Sequence, residues 1–176
     1  MKFDTIFLDL DGVIFDFDRV FVERYGKAPH DMPRSEFNAC FSDFIENKCF
    51  ETLPLCNGIM PMLGMLANLR RIFDIKIIIL TACGGESSKR VKEVTRQKLV
   101  ALDNTLSEYF SWDGEIFAYT SREKIKHFSR SAVLIDDYDQ NIDAWTAAGG
   151  TSIWHDSSVP YRTTIALYEL FYNQSE

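Results

Sequence analysis

Apolar positions along the chain recur with two different periods, and the two alternate. Thr5–Leu10 (TIFLDL) is a short β-branched run that reads as a buried strand and ends in the turn signal Asp11-Gly12. Residues 16–26 put Phe17, Val20, Phe21 and Tyr25 on one helical face. Pro29 and Pro33 then break the chain. From Ser35 a second helix is predicted, with Phe37, Cys40, Phe41, Phe44 and Ile45 at i, i+3, i+4, i+7, i+8 spacing. Asn57-Gly58 followed by Pro61 marks the start of a third helix, to about Arg71. Ile75–Leu80 (IKIIIL) is the clearest buried strand. Thr81-Ala82-Cys83-Gly84-Gly85 reads as a loop at its carboxyl end, and a polar helix follows at roughly 86–102. Ile116–Tyr119 and Ala132–Ile135 are two further short strands. A helix from Asp139 to Ala148 is closed by Gly149-Gly150, and a strand at Thr151–Trp154 and a helix at 161–172 complete the pattern.

Strands alternating with helices predict an α/β protein: a parallel sheet with helices on both faces. Residues 14–60 depart from the alternation, because helices follow one another there without a strand. That stretch is expected to be a small helical cap inserted after the first strand. Residues 1–13 and 61–176 would then form the core.

The 176 residues suit one compact domain with a small insertion, and an apolar share of 46% can fill its core. The net charge of −7 argues against a long nucleic-acid groove, which needs clustered Lys and Arg. A small phosphate ester in a local basic pocket is compatible with it. Cys40, Cys49, Cys56 and Cys83 form no C-x-x-C pair, and no His stands at metal-site spacing from them. Buried, reduced thiols are the expectation, in a cytoplasmic protein. The apolar run near the N-terminus is short and interrupted by Asp4 and Asp9, so it reads as neither a signal peptide nor a membrane span.

In open α/β sheets ligands bind beyond the carboxyl ends of the strands. The first strand ends at Asp9-Leu10-Asp11-Gly12, the second at Thr81, and the strand at 132–135 at Asp136-Asp137. Ser121-Arg122-Glu123-Lys124 follows the strand at 116–119. Four carboxylates, a hydroxyl and a lysine are thus expected on one rim. Two like charges about 4 Å apart repel by roughly 4 kcal/mol at an effective dielectric of 20, so the cluster calls for a cation. Oxygen-only ligands beside a phosphate point to Mg²⁺. Asp9 is the candidate nucleophile, forming an aspartyl-phosphate, and Asp11 the candidate general acid and base. Gly12 permits a tight turn toward the phosphate, Thr81 can donate a hydrogen bond to it, and Lys124 can neutralise its charge. Asp136 and Asp137 complete the metal site.

These residues resemble the four motifs of the haloacid dehalogenase-like superfamily, in order and across nearly the whole chain: FLDLDGVIFDF, IIILTA, SREK and VLIDD. The resemblance implies a Rossmann-like sheet, an aspartyl-phosphate intermediate and Mg²⁺. Its ligands would be the Asp9 carboxylate, the Asp11 main-chain carbonyl and an acid of the last motif, Asp137 in preference to Asp136. Within the superfamily, DLDGVIFDF, KCFETLPLCNGIM and TSREK…AVLIDD are similar to the 5′(3′)-deoxyribonucleotidases. That likeness implies a (deoxy)nucleoside monophosphate substrate. Phe17 would stack on the base, Phe37 or Phe41 would form the other side of the slot, and Ala82 would lie beside the phosphate. Two positions depart from that family: Ala82-Cys83 stands where it has Ser-Pro, and residues 14–60 contain no Trp.

Plainer readings exist for each residue. D-x-D-G also occurs in turns and calcium loops, but here Val13-Ile14-Phe15 follow where a calcium loop needs polar ligands. Asp136-Asp137 could cap the next helix. Lys126 competes with Lys124. Phe17, Phe37 and Phe41 lie on apolar helical faces where packing is the default. Cys83 reads as a bystander thiol, and His30, His127 and His155 match no ligand or triad spacing. The expectation is a capped, Mg²⁺-dependent phosphomonoesterase, monomeric or a homodimer, acting on a nucleoside monophosphate. The alternatives are the same chemistry on a sugar phosphate or other metabolite, and a non-catalytic phosphate- or protein-binding module. Asp11 argues against haloacid dehalogenation, which uses no acid two positions after the nucleophile.

Overall fold

The computed structural model describes residues 3–85 and 87–173, so expectations touching residues 1, 2, 86 and 174–176 lie outside it. The strands are β1 (Thr5–Leu8), β2 (Lys76–Ala82), β3 (Gly114–Ala118), β4 (Ala132–Asp136) and β5 (Thr151–Trp154). They form one parallel sheet in the order β3-β2-β1-β4-β5. The helices are α1 (Phe17–Tyr25), α2 (Arg34–Glu46), α3 (Met60–Phe73), α4 (Ser88–Ala101), α5 (Asp139–Ala147) and α6 (Tyr161–Tyr172). Tight 3₁₀ turns cover Pro29–Asp31, Cys49–Thr52 and Ser121–His127, and a π-turn at Leu102–Leu106 prolongs α4.

Side chains alternate across a strand, so each central strand feeds two cores. Ile6 and Leu8 of β1, Ile77 and Ile79 of β2, and Val133 and Ile135 of β4 join the larger one, with Leu66 and Leu69 of α3 and Leu167 of α6. Phe7, Leu80 and Leu134 point the other way and meet Trp145 of α5. Trp145 is fully buried, with its ring 5.7 Å from Phe7 and 5.5 Å from Phe128 in edge-on contacts. It is the largest side chain of a small core, so Trp145→Ala is expected to cost roughly 3–5 kcal/mol. Urea unfolding checks this, and a cost under about 1 kcal/mol would show that this face carries little of the stability.

The predicted elements are all present, with shifted ends. β1 stops at Leu8 rather than Leu10, because the chain turns there: the Leu10 carbonyl accepts from the amides of Val13, Ile14 and Phe15. β2 runs two residues further than predicted. Thr81 and Ala82 are ladder residues paired with Phe117 and Ala118, not a loop. β3 begins at Gly114, since the pairing with β2 reaches back to Ile78.

Between β1 and α3 the chain makes α1 and α2 and returns beside its own path. Asp16 N donates to Pro54 O (2.9 Å) and Cys56 N to Ile14 O (2.7 Å), forming a narrow antiparallel neck. Phe17, Phe21, Phe37, Phe41, Phe44 and Phe50 pack against one another above it. Phe41 rests on the loop after β2, where a Cβ on Gly84 would meet its ring at 2.6 Å.

Candidate active site

The carboxyl ends of β1, β2 and β4 bring the candidate residues together. Asp9 continues the line of β1, held by its amide to Ile135 O (3.0 Å), and its Oδ1 accepts from the Leu10 amide (2.8 Å). Its Oδ2 lies 2.7 Å from the Lys124 ammonium, which also donates to Asp136 Oδ2 at 2.7 Å. Lys124 is buried in the 3₁₀ turn. Burial lowers its pKa, but Asp9 and Asp136 outweigh that and hold it above the ordinary lysine value. Lys126 is exposed and paired with Glu123, so the structure places Lys124 and not its competitor at the site.

Asp9, Asp136 and Asp137 each offer a carboxylate oxygen, and the three oxygens lie within 4.8 Å of one another. Asp136 is the committed member. It accepts from Lys124, from the Tyr138 amide (3.0 Å) and, on both of its oxygens, from Asn141 Nδ2 (3.0 Å each). No side-chain donor among the described residues reaches the Asp137 carboxylate. Burial, followed by Asp9 and Asp136, pushes Asp137 up to about 8, and burial and Asp9 push Asp136 up to about 6 against the pull of Lys124.

Asp11 follows the turn. Its Oδ2 lies 2.6 Å from a second buried ammonium, that of Lys98, and its Oδ1 is buried without a hydrogen-bond partner. Burial raises the Asp11 pKa above the ordinary carboxylate value, with Lys98 opposing and Asp9 adding to the shift. Lys98 also donates to Thr81 Oγ1 and to the Ala82 carbonyl, 2.7 Å each. With all four rim carboxylates ionised, the two ammonium groups leave a net charge of −2, which one divalent cation would neutralise. With oxygen donors only, the residues fit Mg²⁺.

Gly12 is left-handed (φ 76°), and a Cβ there would lie 1.9 Å from Asp137 Oδ2. Gly12→Ala is therefore expected to displace Asp137 and weaken Mg²⁺ binding by about 10–100-fold, read by calorimetric titration. Unchanged affinity would show that Asp137 is not a ligand.

A pocket of about 510 Å³ opens over this rim, lined by Asp9, Asp11, Gly12 and Asp137 and by Phe17, Asp18, His30, Phe37, Ser121 and Tyr138 among others. Phe17 and Phe37 thus face it. Phe41 does not: it is buried under Phe37 and Phe50 and serves the aromatic core. A larger cavity, about 620 Å³, lies between α2 and α4 and is lined by Lys48, Lys89 and Arg96 among others. None of the rim carboxylates borders it, so the chemistry belongs to the smaller pocket. Cys83 is buried against Thr95 Oγ1, and burial raises its thiol, as suits a bystander.

Lys98, Asn141, Asp18, His30 and Tyr138 were not legible as site residues. Lys98 sits in a polar helix rich in Lys and Arg, with no motif around it. Asn141 stands five residues after Asp136, on the helix that follows that strand, and no helical i+3 or i+4 spacing links the two.

No protein-family model matches the chain, and no curated protein matches it at a significant level. Among solved structures, a haloacid dehalogenase-like family hydrolase from Xanthomonas campestris superimposes with a TM-score of 0.56 at 11% identity, over 99% of this chain and 95% of that one. An L-2-haloacid dehalogenase aligns at 10% identity with a TM-score of 0.49, over 90% and 87% of the two chains. At such identity the first likeness is one of architecture: the chain has the Rossmann-like α/β fold of a haloacid dehalogenase-like hydrolase.

Proposed function

We propose that the protein is a Mg²⁺-dependent phosphomonoesterase that attacks phosphate with Asp9. The observation that carries this reading is the trio of buried Asp9, buried Asp136 and half-buried Asp137, with Asp11 two residues beyond the nucleophile. Asp9 attacks phosphorus and Asp11 protonates the departing oxygen, then takes a proton from the water that cleaves the aspartyl-phosphate. Lys124 holds Asp9 in place and offsets charge on the transferring group. Asp9, Asp137 and the Asp11 carbonyl would hold Mg²⁺, which would supply electrostatic stabilisation of the phosphoryl oxygens. Asp136 acts behind them, orienting Lys124 through its hydrogen bond. Dehalogenation has no use for Asp11, and so is disfavoured.

The substrate we favour is a small (deoxy)nucleoside monophosphate, because Phe17 and Phe37 put aromatic rings in a pocket of suitable size. Residues 14–60 would act as the cap that excludes water over it. Asp18 and His30 in the same pocket favour a second reading, a sugar phosphate held through its hydroxyl groups. Phosphate release from a panel of nucleotides and sugar phosphates, with and without Mg²⁺, separates the two. Activity that falls when the base is removed supports the nucleotidase. Mg²⁺ binding with no ester turned over would favour a non-catalytic binding module.

A further inference from the structure

We propose that Lys98 is a positioning residue for proton transfer at Asp11. The proposal rests on the phosphomonoesterase reading. Lys98 is 1% exposed, and a buried ammonium is stable only when its donors are satisfied. Its three protons have three acceptors: Asp11 Oδ2 at 2.6 Å, Thr81 Oγ1 at 2.7 Å and the Ala82 carbonyl at 2.7 Å. Phe50, from the helical insertion, covers the ammonium with its ring centroid 5.3 Å away. The group is therefore pinned between the ends of β1 and β2 and closed off from above.

The consequence falls on Asp11. Its Oδ2 is committed to a charge-assisted hydrogen bond with the ammonium, which fixes the orientation of the carboxyl group. The side chain is 26% exposed and lines the pocket, so the group held in this way is within reach of a ligand there. In the first step a bond forms between an Asp9 oxygen and phosphorus, and the bond from phosphorus to the leaving oxygen breaks. The electron pair left on that oxygen takes the proton from the Asp11 carboxyl group. In the second step water attacks phosphorus, its proton goes to the Asp11 carboxylate, and the Asp9 carboxylate departs. Lys98 remains an ammonium throughout, and Thr81 accepts from it through Oγ1.

The test uses the full chain with Mg²⁺ and two esters: an alkyl phosphate, whose leaving oxygen needs a proton, and p-nitrophenyl phosphate, whose leaving group departs without one. First-turnover release of the leaving group is followed by rapid quench. Lys98→Met is expected to slow release from the alkyl ester by about 10²-fold or more and from the nitrophenyl ester by less than about 10-fold. Asp11→Asn should show the same contrast, and the double variant should be no slower than Asp11→Asn alone. Lys98→Gln, which can still donate to Thr81 and Ala82, guards against loss of fold in Lys98→Met, and the same contrast is expected of it. Equal losses on both esters, additive losses in the double variant, or failure of both Lys98 variants to fold would overturn the proposal. A wild type that releases neither leaving group refutes the phosphatase reading itself, an outcome distinct from these.

Discussion

Asp9→Asn is expected to abolish Mg²⁺-dependent phosphate release, with a loss on the order of 10³-fold or more, while the protein stays folded. The substitution removes the attacking carboxylate and, with it, one of the proposed Mg²⁺ ligands. An asparagine oxygen can still accept from the Leu10 amide, and Lys124 retains Asp136 at 2.7 Å. Its amide meets the ammonium at the former Oδ2 position, so a small loss of stability is expected beside the large loss of rate. Acid-quenched wild type should carry phosphate that hydroxylamine releases, as an acyl phosphate does, and Asp9→Asn should carry none. Release that survives Asp9→Asn would mean that the nucleophile lies elsewhere, and the assignment of the whole rim would go with it.

Asp137→Asn is expected to act in opposite directions on activity and on metal-free stability. Asp137 is pushed up to about 8 by burial and by Asp9 and Asp136, far above its ordinary 3.8. A carboxyl whose folded pKa is raised contributes most below its unfolded pKa. That contribution is lost as pH rises toward the folded value. The metal-free protein should accordingly lose stability on this account between about pH 4 and 8. Removing the charge should raise the melting temperature at pH 8 by roughly 2–4 °C for each 1 kcal/mol of repulsion relieved. Mg²⁺ should stabilise the wild type at pH 8 by mass action, and this increment should vanish in Asp137→Asn together with phosphate release. Thermal melts at pH 5 and pH 8, with and without Mg²⁺, check all of these signs. A variant that melts lower than wild type at pH 8 without Mg²⁺ would show that Asp137 is already compensated.

Much of this architecture can be read from residue patterns, for a local reason. TIFL, IKIIIL and AVLI are buried on both faces in a parallel sheet, so they appear as continuous apolar runs, and the amphipathic helices between them show their own period. The strand ends were less legible. Thr81 and Ala82 read as a loop because the Gly84-Gly85 signal lies close by, whereas pairing with Phe117 and Ala118 extends the ladder past it. Asp9, Asp11, Thr81, Lys124, Asp136 and Asp137 could be placed at one rim because each follows an apolar strand, and strands of a parallel sheet all end on the same side.

Lys98 shows what such reasoning lacks. It lies 87 residues from Asp11, on a helix where several lysines and arginines look alike. Only the packing of α4 beside the ends of β1 and β2 selects this one and buries it. The same holds for the three phenylalanines. Their spacing put them on helical faces, and tertiary packing then turned Phe17 and Phe37 to the pocket and Phe41 into the core. The sequence by itself determined the alternating elements, the strand-end acids and the direction of the sheet, since these follow from local period and connection. The partition of Asp136 into a lysine's partner and Asp137 into an open carboxylate, and the pairing of Asp9 with Lys124 and of Asp11 with Lys98, were decided by the tertiary structure, because distances across the rim depend on residues far apart in the chain.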